Sequence, residues 1–278
     1  MHPFMEQRVS VMSYTHCHFP LSYFLEKMEV FGLKHMELWG GYPHFCVDYD
    51  DAAQCKRIRA DIKAHGLTLT AITPESINYP YNLAAREEVV REKSIAYFKR
   101  NITACKLLGC KLLVITPGYG YLNEPKEAAW ERSRASLITL ARFAQENGIC
   151  LALEHLTTIS SNLINFASEL AQMVCEVQSP ALRGMLDLGQ MSILGETVEQ
   201  YHTALGGDIA HVHIMDGRPA GHLAIGDGQL PLEFYVRELE RLGYEGMISM
   251  EINDRAYYLD PDKAIQQSLT QMAQWFKA

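Results

Sequence analysis

The sequence lacks most features that would direct a protein to a membrane, to nucleic acid or to the secretory pathway. No run of 18 apolar residues occurs in its 278 residues, so no transmembrane helix is expected. The first segment, MHPFMEQRVSV, has neither the basic nor the apolar region of a signal peptide. Lys and Arg total 25 against 33 Asp and Glu, and the net charge of −8 disfavours broad binding to nucleic acid or to anionic membranes.

The sequence also lacks a disulfide framework. Its cysteines are odd in number and form no CxxC pair, which predicts free thiols in a reducing compartment, the cytoplasm. What is present is a large core: 48% of residues are hydrophobic and 21% are charged, which excludes a structureless chain. Because no linker or low-complexity stretch interrupts residues 1–278, we expect a single domain.

One short phrase recurs along the chain. A helical segment ends near a glycine, and an apolar, β-branched run begins within a few residues. The phrase occurs as FGLKHMELW (31–39), HGLTLTAIT (65–73), LGCKLLVIT (108–116), NGICLALEHL (147–156) and LGYEGMISMEI (242–252), with variants at 182–189 and 206–216 and a first strand at 8–15.

Segments of helical period fill the intervals between these strands. They are 20–32, 51–65, 85–108, 124–147, 164–177, 196–205, 231–242 and 261–277. Eight strands that alternate with eight helices predict an α/β fold with a parallel sheet, closed as a single (β/α)8 TIM barrel. A doubly wound sheet is the second choice, and it fits less well because no glycine-rich phosphate fingerprint follows the first strand.

The last four strands end in residues that can bind a cation. Barrel active sites lie at the C-terminal ends of strands, where this sequence has Glu154, Asp187, His213 and Glu251. One such Glu alone is more often an ion-pair partner, but all four together leave about two uncompensated negative charges in one pocket. A divalent cation resolves this excess, and the oxygen-rich set favours Mn²⁺, with Co²⁺, Mg²⁺ or Zn²⁺ possible. His211 is predicted to be a core histidine.

These residues resemble the xylose isomerase-like sugar epimerases and isomerases, notably the D-tagatose/D-psicose 3-epimerases. The resemblance spans nearly the whole chain. A closer resemblance, to the fructoselysine 3-epimerases, is carried by GLKHMELWGGYPH (32–44), TPESINYPYN (73–82), LEHLT (153–157) and HVHIMD (211–216).

The resemblance implies a chemistry and a set of roles. The enzyme would remove the C3 proton of a ketose and return a proton to the opposite face, through a metal-stabilised enediolate. Glu154 and Glu251 would act as the catalytic acid and base while also ligating the metal, and Asp187 and His213 would be ligands only. The substrate would be a small sugar, and the enzyme would be a homo-oligomer, either a dimer or a tetramer.

Departures from the family pattern bear on the substrate. The free-ketohexose epimerases have His, Glu and Arg where this chain has Gln190, Ser160 and Pro219, with Arg218 adjacent. This difference favours a substrate other than plain tagatose or psicose, such as a 1-substituted ketose of the Amadori type. The predicted substrate contacts are Trp39, His44, Glu75, Gln190, Arg218 and His222.

Other functions stay open on the sequence. An aldose–ketose isomerase or an inosose-type dehydratase would use the same metal ligands. An AP-endonuclease-like nuclease shares the barrel but needs further metal ligands and a basic face, which are not apparent. An inactive sugar-binding barrel is disfavoured by the intact pair of glutamates.

Overall fold

The computed structural model describes residues 2–77 and 80–277, and its centre is a closed barrel of eight parallel strands. Neighbours in the barrel follow chain order, and the first strand pairs with the last. The strands are β1 (Val9–Met12), β2 (His35–Gly40), β3 (Thr68–Pro74), β4 (Leu112–Ile115), β5 (Cys150–Leu153), β6 (Leu182–Asp187), β7 (Ile209–Ile214) and β8 (Ile248–Met250). The predicted barrel is confirmed and the doubly wound sheet is wrong. Asn78 and Tyr79, inside the TPESINYPYN motif, lie outside the described residues.

Helices connect the strands on the outside of the barrel. They are α1 (Pro3–Arg8), α2 (Leu21–Val30), α3 (Ala52–Ala64), α4 (Glu88–Leu108), α5 (Lys126–Asn147), α6 (Ala167–Val177), α7 (Leu188–Ile193), α8 (Val198–Ala204), α9 (Leu232–Arg241) and α10 (Pro261–Trp275). All eight predicted helices are present, and the short α1 and α7 are additions. Within the described residues, no helix is both long enough and apolar enough to cross a bilayer.

Glycines end the two longest helices, as the recurring phrase predicts. Gly109 follows α4 with φ of 80°, and Gly148 follows α5 with φ of 69°. In this left-handed conformation each glycine amide bonds back to carbonyls of the last helical turn, and residues with a Cβ adopt the conformation only at a cost. The chain then turns at once into β4 or β5, which sets where each strand begins and therefore where it ends.

Strand alternation divides the core into two layers. Leu151 and Leu153 of β5 face outward and join the large apolar cluster between the strands and the helices. Ala152 faces inward and, with Val114 and Met185, forms a separate cluster inside the barrel. Because successive residues alternate between these layers, the residue that follows an outward leucine at a strand end points into the barrel mouth.

Candidate active site

Alternation directs ionisable side chains from five strands into the barrel mouth. The outward residues that precede them are buried in the helix-facing core: Met36, Leu153, Leu186, Val212 and Met250. The inward residues that follow are Glu37 on β2, Glu154 after β5, Asp187 on β6, His213 on β7 and Glu251 after β8. The barrel thus brings together all four ligands that the sequence predicts.

We name the group of Glu154, Asp187, His213 and Glu251 the cation site, because these four residues could together hold a metal ion. One ligand atom from each residue lies within 4.8 Å of those of the other three. His213 Nδ1 lies 3.0 Å from Glu251 Oε2 and 3.8 Å from Glu154 Oε1. Glu154, Asp187 and His213 are buried, and only 13% of the Glu251 side chain is exposed.

Two atoms of this site are buried without a hydrogen-bond partner among the described residues. They are His213 Nδ1 and Glu251 Oε2, which lie 3.0 Å apart but whose angles do not make a hydrogen bond. Buried polar atoms are seldom left unpaired, because the loss of hydration costs about 1–3 kcal/mol for each. A divalent cation bound beside these two atoms would give both of them a partner.

The electrostatics of the bare protein lead to the same conclusion. Burial, and next the charge of Glu251, raises the pKa of the Glu154 carboxyl well above its usual range. The same two causes raise the pKa of Asp187. Burial also opposes ionisation of Glu251, but the charges of His213 and His222 together outweigh burial, and the pKa of Glu251 is lowered. A bound divalent cation would lower the pKa of each of these carboxyl groups and so favour their joint ionisation.

A second group of candidate ligands shares His213 but is already saturated by its own hydrogen bonds. It consists of Glu37, His211 and His213. Glu37 Oε1 lies 3.1 Å from His213 Nε2, and Glu37 Oε2 lies 2.8 Å from His211 Nε2. Thr73 also donates its hydroxyl proton to Glu37. Because these hydrogen bonds occupy Glu37 and His213 Nε2, the nitrogen of His213 that could face a cation is Nδ1.

The two glutamates of the cation site also line a cavity of about 100 Å³ at the barrel mouth. The predicted contacts Trp39 and Glu75 line the same cavity. Their side chains are hydrogen-bonded, with Trp39 Nε1 donating to Glu75 Oε2 over 3.1 Å. The other lining residues are Met12, Tyr14, Thr73, Pro74, Ser76, Ile77, Val114, Thr116 and Asn253.

The glycines of the ELWGG motif make room for this tryptophan. A Cβ on Gly41 would lie 2.1 Å from the Trp39 ring, and a Cβ on Gly40 would lie 2.9 Å from Pro74. Tyr14 packs edge-on against the indole with ring centroids 4.5 Å apart. The motif is therefore a packing requirement that fixes the position of the Trp39 ring in the cavity.

Two other predicted contacts lie next to the cation site. The Gln190 amide nitrogen donates to Glu154 Oε1 over 3.1 Å and to Asp187 Oδ2 over 3.2 Å, so it holds two of the ligands apart and in place. His222 Nδ1 lies 3.2 Å from the carbonyl oxygen of Glu251. About 32% of the His222 side chain is exposed, which places the ring at the rim.

The structure does not bring His44 and Arg218 into the cavity as substrate contacts. Both ring nitrogens of the buried His44 are occupied, Nδ1 by Ser13 Oγ at 2.9 Å and Nε2 by the carbonyls of His16 and Phe19. Arg218 is exposed, and its Nε donates to the carbonyl of Asp227. The structure gives no support to these two predicted contacts, because the nitrogens of His44 have partners in the protein interior and Arg218 is held at the surface.

Comparison with known proteins identifies the family. The sequence profile of the xylose isomerase-like TIM barrel family matches residues 25–277. The chain belongs to this family. Fructoselysine 3-epimerase from Shigella flexneri is 30% identical over 240 residues, which cover 85% of this chain and 87% of that protein.

Solved structures of the family share the fold closely. D-psicose 3-epimerase with D-tagatose from Clostridium cellulolyticum H10 has a TM-score of 0.81 at 20% identity, covering 98% of this chain and 100% of that chain. IOLI protein with a bound zinc atom has a TM-score of 0.80 at 20% identity, covering 96% and 97%. The homologues and structural neighbours are sugar epimerases and isomerases, which confirms the expected enzyme class.

Sequence reasoning missed the role of Glu37, which is to bond with His213. Glu37 belongs to the ELWGG string and lies within β2, but no ligand pattern includes it. The signal for this role is strand alternation. Glu37 and Trp39 are two residues apart on β2 and share its inward face, so a Trp39 ring at the barrel mouth implies that the Glu37 carboxylate lies inside the barrel. Its partner could not be read from sequence, because 176 residues separate it from His213.

Replacing Glu37 with Gln is expected to weaken metal binding about 10- to 100-fold. In the metal-loaded protein the Glu37 carboxylate would accept a hydrogen bond from His213 Nε2, which would leave Nδ1 to face the cation. Calorimetric titration of metal-stripped protein with Mn²⁺ measures the change. Glu75→Gln is the matched control, since Glu75 lines the cavity without bonding to His213, and its affinity should stay near wild type. Equal affinities for Glu37→Gln and wild type would contradict this role.

His44 is expected to make the stability of the protein depend on pH. Burial lowers the pKa of His44 from 6.5 to about 4, because the charged ring loses hydration. Between these values the unfolded chain binds more protons than the folded one, so acidification lowers the free energy of unfolding. At about 1.4 kcal/mol per pKa unit the loss is about 3 kcal/mol from pH 6.5 to pH 4. Urea titrations of metal-stripped protein should show that His44→Gln removes this part of the slope; parallel curves would refute the assignment.

Proposed function

We propose that this enzyme is a divalent-metal-dependent ketose 3-epimerase that acts on a ketohexose or a 1-substituted, fructoselysine-like ketose. The observation that carries the proposal is the placement of Glu154 and Glu251. Both line the cavity and both face the cation site, yet they come from β5 and β8, with β6 and β7 between them. Relatives named for fructoselysine and psicose epimerisation support it.

The reaction needs two proton-transfer groups on different sides of one carbon. One carboxylate takes the proton from C3, which is acidic because C2 is a carbonyl, and an enediolate forms. The other carboxyl group then delivers a proton to the opposite face of C3. The two glutamates can exchange these roles, so each handles one epimer as substrate. Gln190, bonded to Glu154, restricts where that carboxylate can move.

A cation held by Glu154, Asp187, His213 and Glu251 would supply Lewis-acid stabilisation of the negative charge that develops on the C2 and C3 oxygens. Three carboxylates and one imidazole nitrogen favour Mn²⁺, with Co²⁺, Mg²⁺ and Zn²⁺ as further candidates. Metal analysis of purified enzyme, followed by reconstitution with each ion in turn, decides among them.

We place the enzyme in the cytoplasm as a homo-oligomer, either a dimer or a tetramer, whose chain forms one domain. The support for the compartment is that all seven cysteines are free. The support for the oligomer is the family resemblance alone. Light scattering of purified enzyme measures the number of subunits directly.

Product analysis tests the proposed reaction. Metal-loaded enzyme is incubated with fructose, psicose, tagatose and fructoselysine, and in a separate reaction with an inosose, and the products are identified by ¹³C NMR. A 3-epimerase yields the C3 epimer of at least one ketose. Formation of an aldose would instead establish an aldose–ketose isomerase, and loss of water from an inosose would establish a dehydratase. Either result, without any C3 epimer, overturns the proposal.

A further inference from the structure

The cavity at the barrel mouth is lined by acidic side chains and by no cationic one. Its lining contains three carboxylates, Glu75, Glu154 and Glu251, and no Lys, Arg or His among the described residues. A divalent cation cancels two of the three negative charges that its ligands carry, so the cavity stays negative even when loaded. A phosphorylated or carboxylated sugar would find no positive partner here, whereas a substrate with a positive charge would be attracted.

Glu75 is the carboxylate of this cavity that the cation site does not use. It follows β3 directly, and its backbone is held by the carbonyl of Gly40, which accepts from the Glu75 amide, and by the Tyr97 hydroxyl, which donates to the Glu75 carbonyl. Its Oε2 accepts from Trp39 Nε1. Across the described part of the chain, no Lys, Arg or His nitrogen lies within ion-pair distance of it.

Its neighbour Trp39 adds a second attraction for positive charge. The indole is fixed by the absence of a Cβ on Gly41 and by the edge of Tyr14, so its ring is presented to the cavity in one orientation. A carboxylate beside an aromatic ring is a recognised arrangement for binding an ammonium group, which donates a charge-assisted hydrogen bond to the carboxylate and makes a cation–π contact with the ring.

We propose that Glu75, held in place by Trp39, binds a protonated amine of the substrate, so that the enzyme prefers 1-amino-1-deoxyketoses over plain ketoses. This inference rests on the proposed 3-epimerase activity. Because Glu75 shares a cavity of about 100 Å³ with Glu154 and Glu251, the ammonium must lie within a few bonds of C3. An amino group on C1 meets that requirement, and its further substituent can extend out of the mouth.

The test compares three ligands of similar shape and different charge: 1-amino-1-deoxy-D-fructose, its neutral N-acetyl derivative and D-fructose. Both kcat/KM and the calorimetric Kd are measured for wild type and for Glu75→Gln. Gln can still accept from Trp39 Nε1, so the substitution removes charge and keeps the indole in place. Glu87→Gln, at an exposed position outside the cavity, is the control for the general surface charge.

Wild type is expected to favour the amine over both neutral ligands. Glu75→Gln is expected to lower kcat/KM and affinity about ten- to a hundredfold for the amine, and to leave both quantities unchanged for the neutral ligands. Glu87→Gln should keep the preference. The inference is overturned if Glu75→Gln weakens all three ligands equally, or if the preference for the amine survives in it. If no ketose is epimerised at all, the proposed function fails, and calorimetry still decides separately whether Glu75 binds the ammonium.

Discussion

Removing the divalent cation is expected to lower the epimerase rate by about 10³-fold or more, since Lewis-acid stabilisation of developing charge contributes several kcal/mol. The physical reason is the composition of the cation site. Three carboxylates converge within 4.8 Å in a buried place, and two facing atoms, His213 Nδ1 and Glu251 Oε2, have no hydrogen-bond partner among the described residues. Exhaustive chelation followed by dialysis, with ketose turnover measured before and after, gives the loss.

Metal removal should also lower the melting temperature, which makes the prediction independent of the identity of the sugar. A ligand that binds only the folded state adds about 2.7 kcal/mol of stability when its concentration is 100 times Kd. Restoring Mn²⁺ should recover both the rate and the melting temperature, whereas K⁺ at the same ionic strength should recover neither. Full activity in protein shown by elemental analysis to be metal-free would contradict the assignment of the site.

Replacing Glu154 or Glu251 with Gln is expected to slow epimerisation about 10²- to 10⁴-fold, the range that a positioned acid or base contributes. The two variants should differ in what they leave intact. With one proton-transfer group lost, the other can still remove a proton from its own face of C3 and return it there. In D₂O, Glu154→Gln and Glu251→Gln should therefore each label one epimer at C3 without inverting it, and the epimer labelled should be opposite in the two variants.

These variants need a control for metal loss, because both glutamates belong to the cation site. Gln keeps one carbonyl oxygen as a ligand, and rates are compared at saturating metal with the metal content measured. Asp187→Asn is the control, because it removes the charge of a predicted metal ligand that does not line the cavity. Asn also keeps the length of the Asp side chain, which Gln would not. If Glu154→Gln or Glu251→Gln retained full turnover, that residue would have no role as acid or base.

The barrel and its four ligands follow from the sequence because both depend on local periodicity. A glycine that ends a helix sets the start of the next strand, and alternation along an apolar run then fixes which residue faces inward. Examples are Glu154, which follows the alternating CLAL of β5, and Asp187 at the end of β6. The same rule turns His155 outward, where its buried ring packs 4.5 Å from Tyr201.

Residues on loops did not follow from the sequence, because their positions depend on contacts that are distant along the chain. The carboxylate of Asp216, at the start of the loop after β7, accepts hydrogen bonds from the backbone N–H groups of Gly217, Gly226 and Leu230. These bonds set the course of that loop. Arg218 lies on this loop and is directed to the surface. For the same reason the sequence could not show that His44, although it lies inside a motif that resembles the family, has a buried ring whose nitrogens are bonded to Ser13, His16 and Phe19.

The most direct test of the account is isotope exchange at a single carbon. Metal-loaded wild-type enzyme is incubated with fructose and with fructoselysine in D₂O, and each position of the recovered sugars is examined by NMR, with Mg²⁺ in place of Mn²⁺ if line broadening interferes. Deuterium at C3 of the substrate and of its epimer is the predicted result. Deuterium at C1 or C2 with none at C3, from protein shown to contain its metal, would contradict the proposed function.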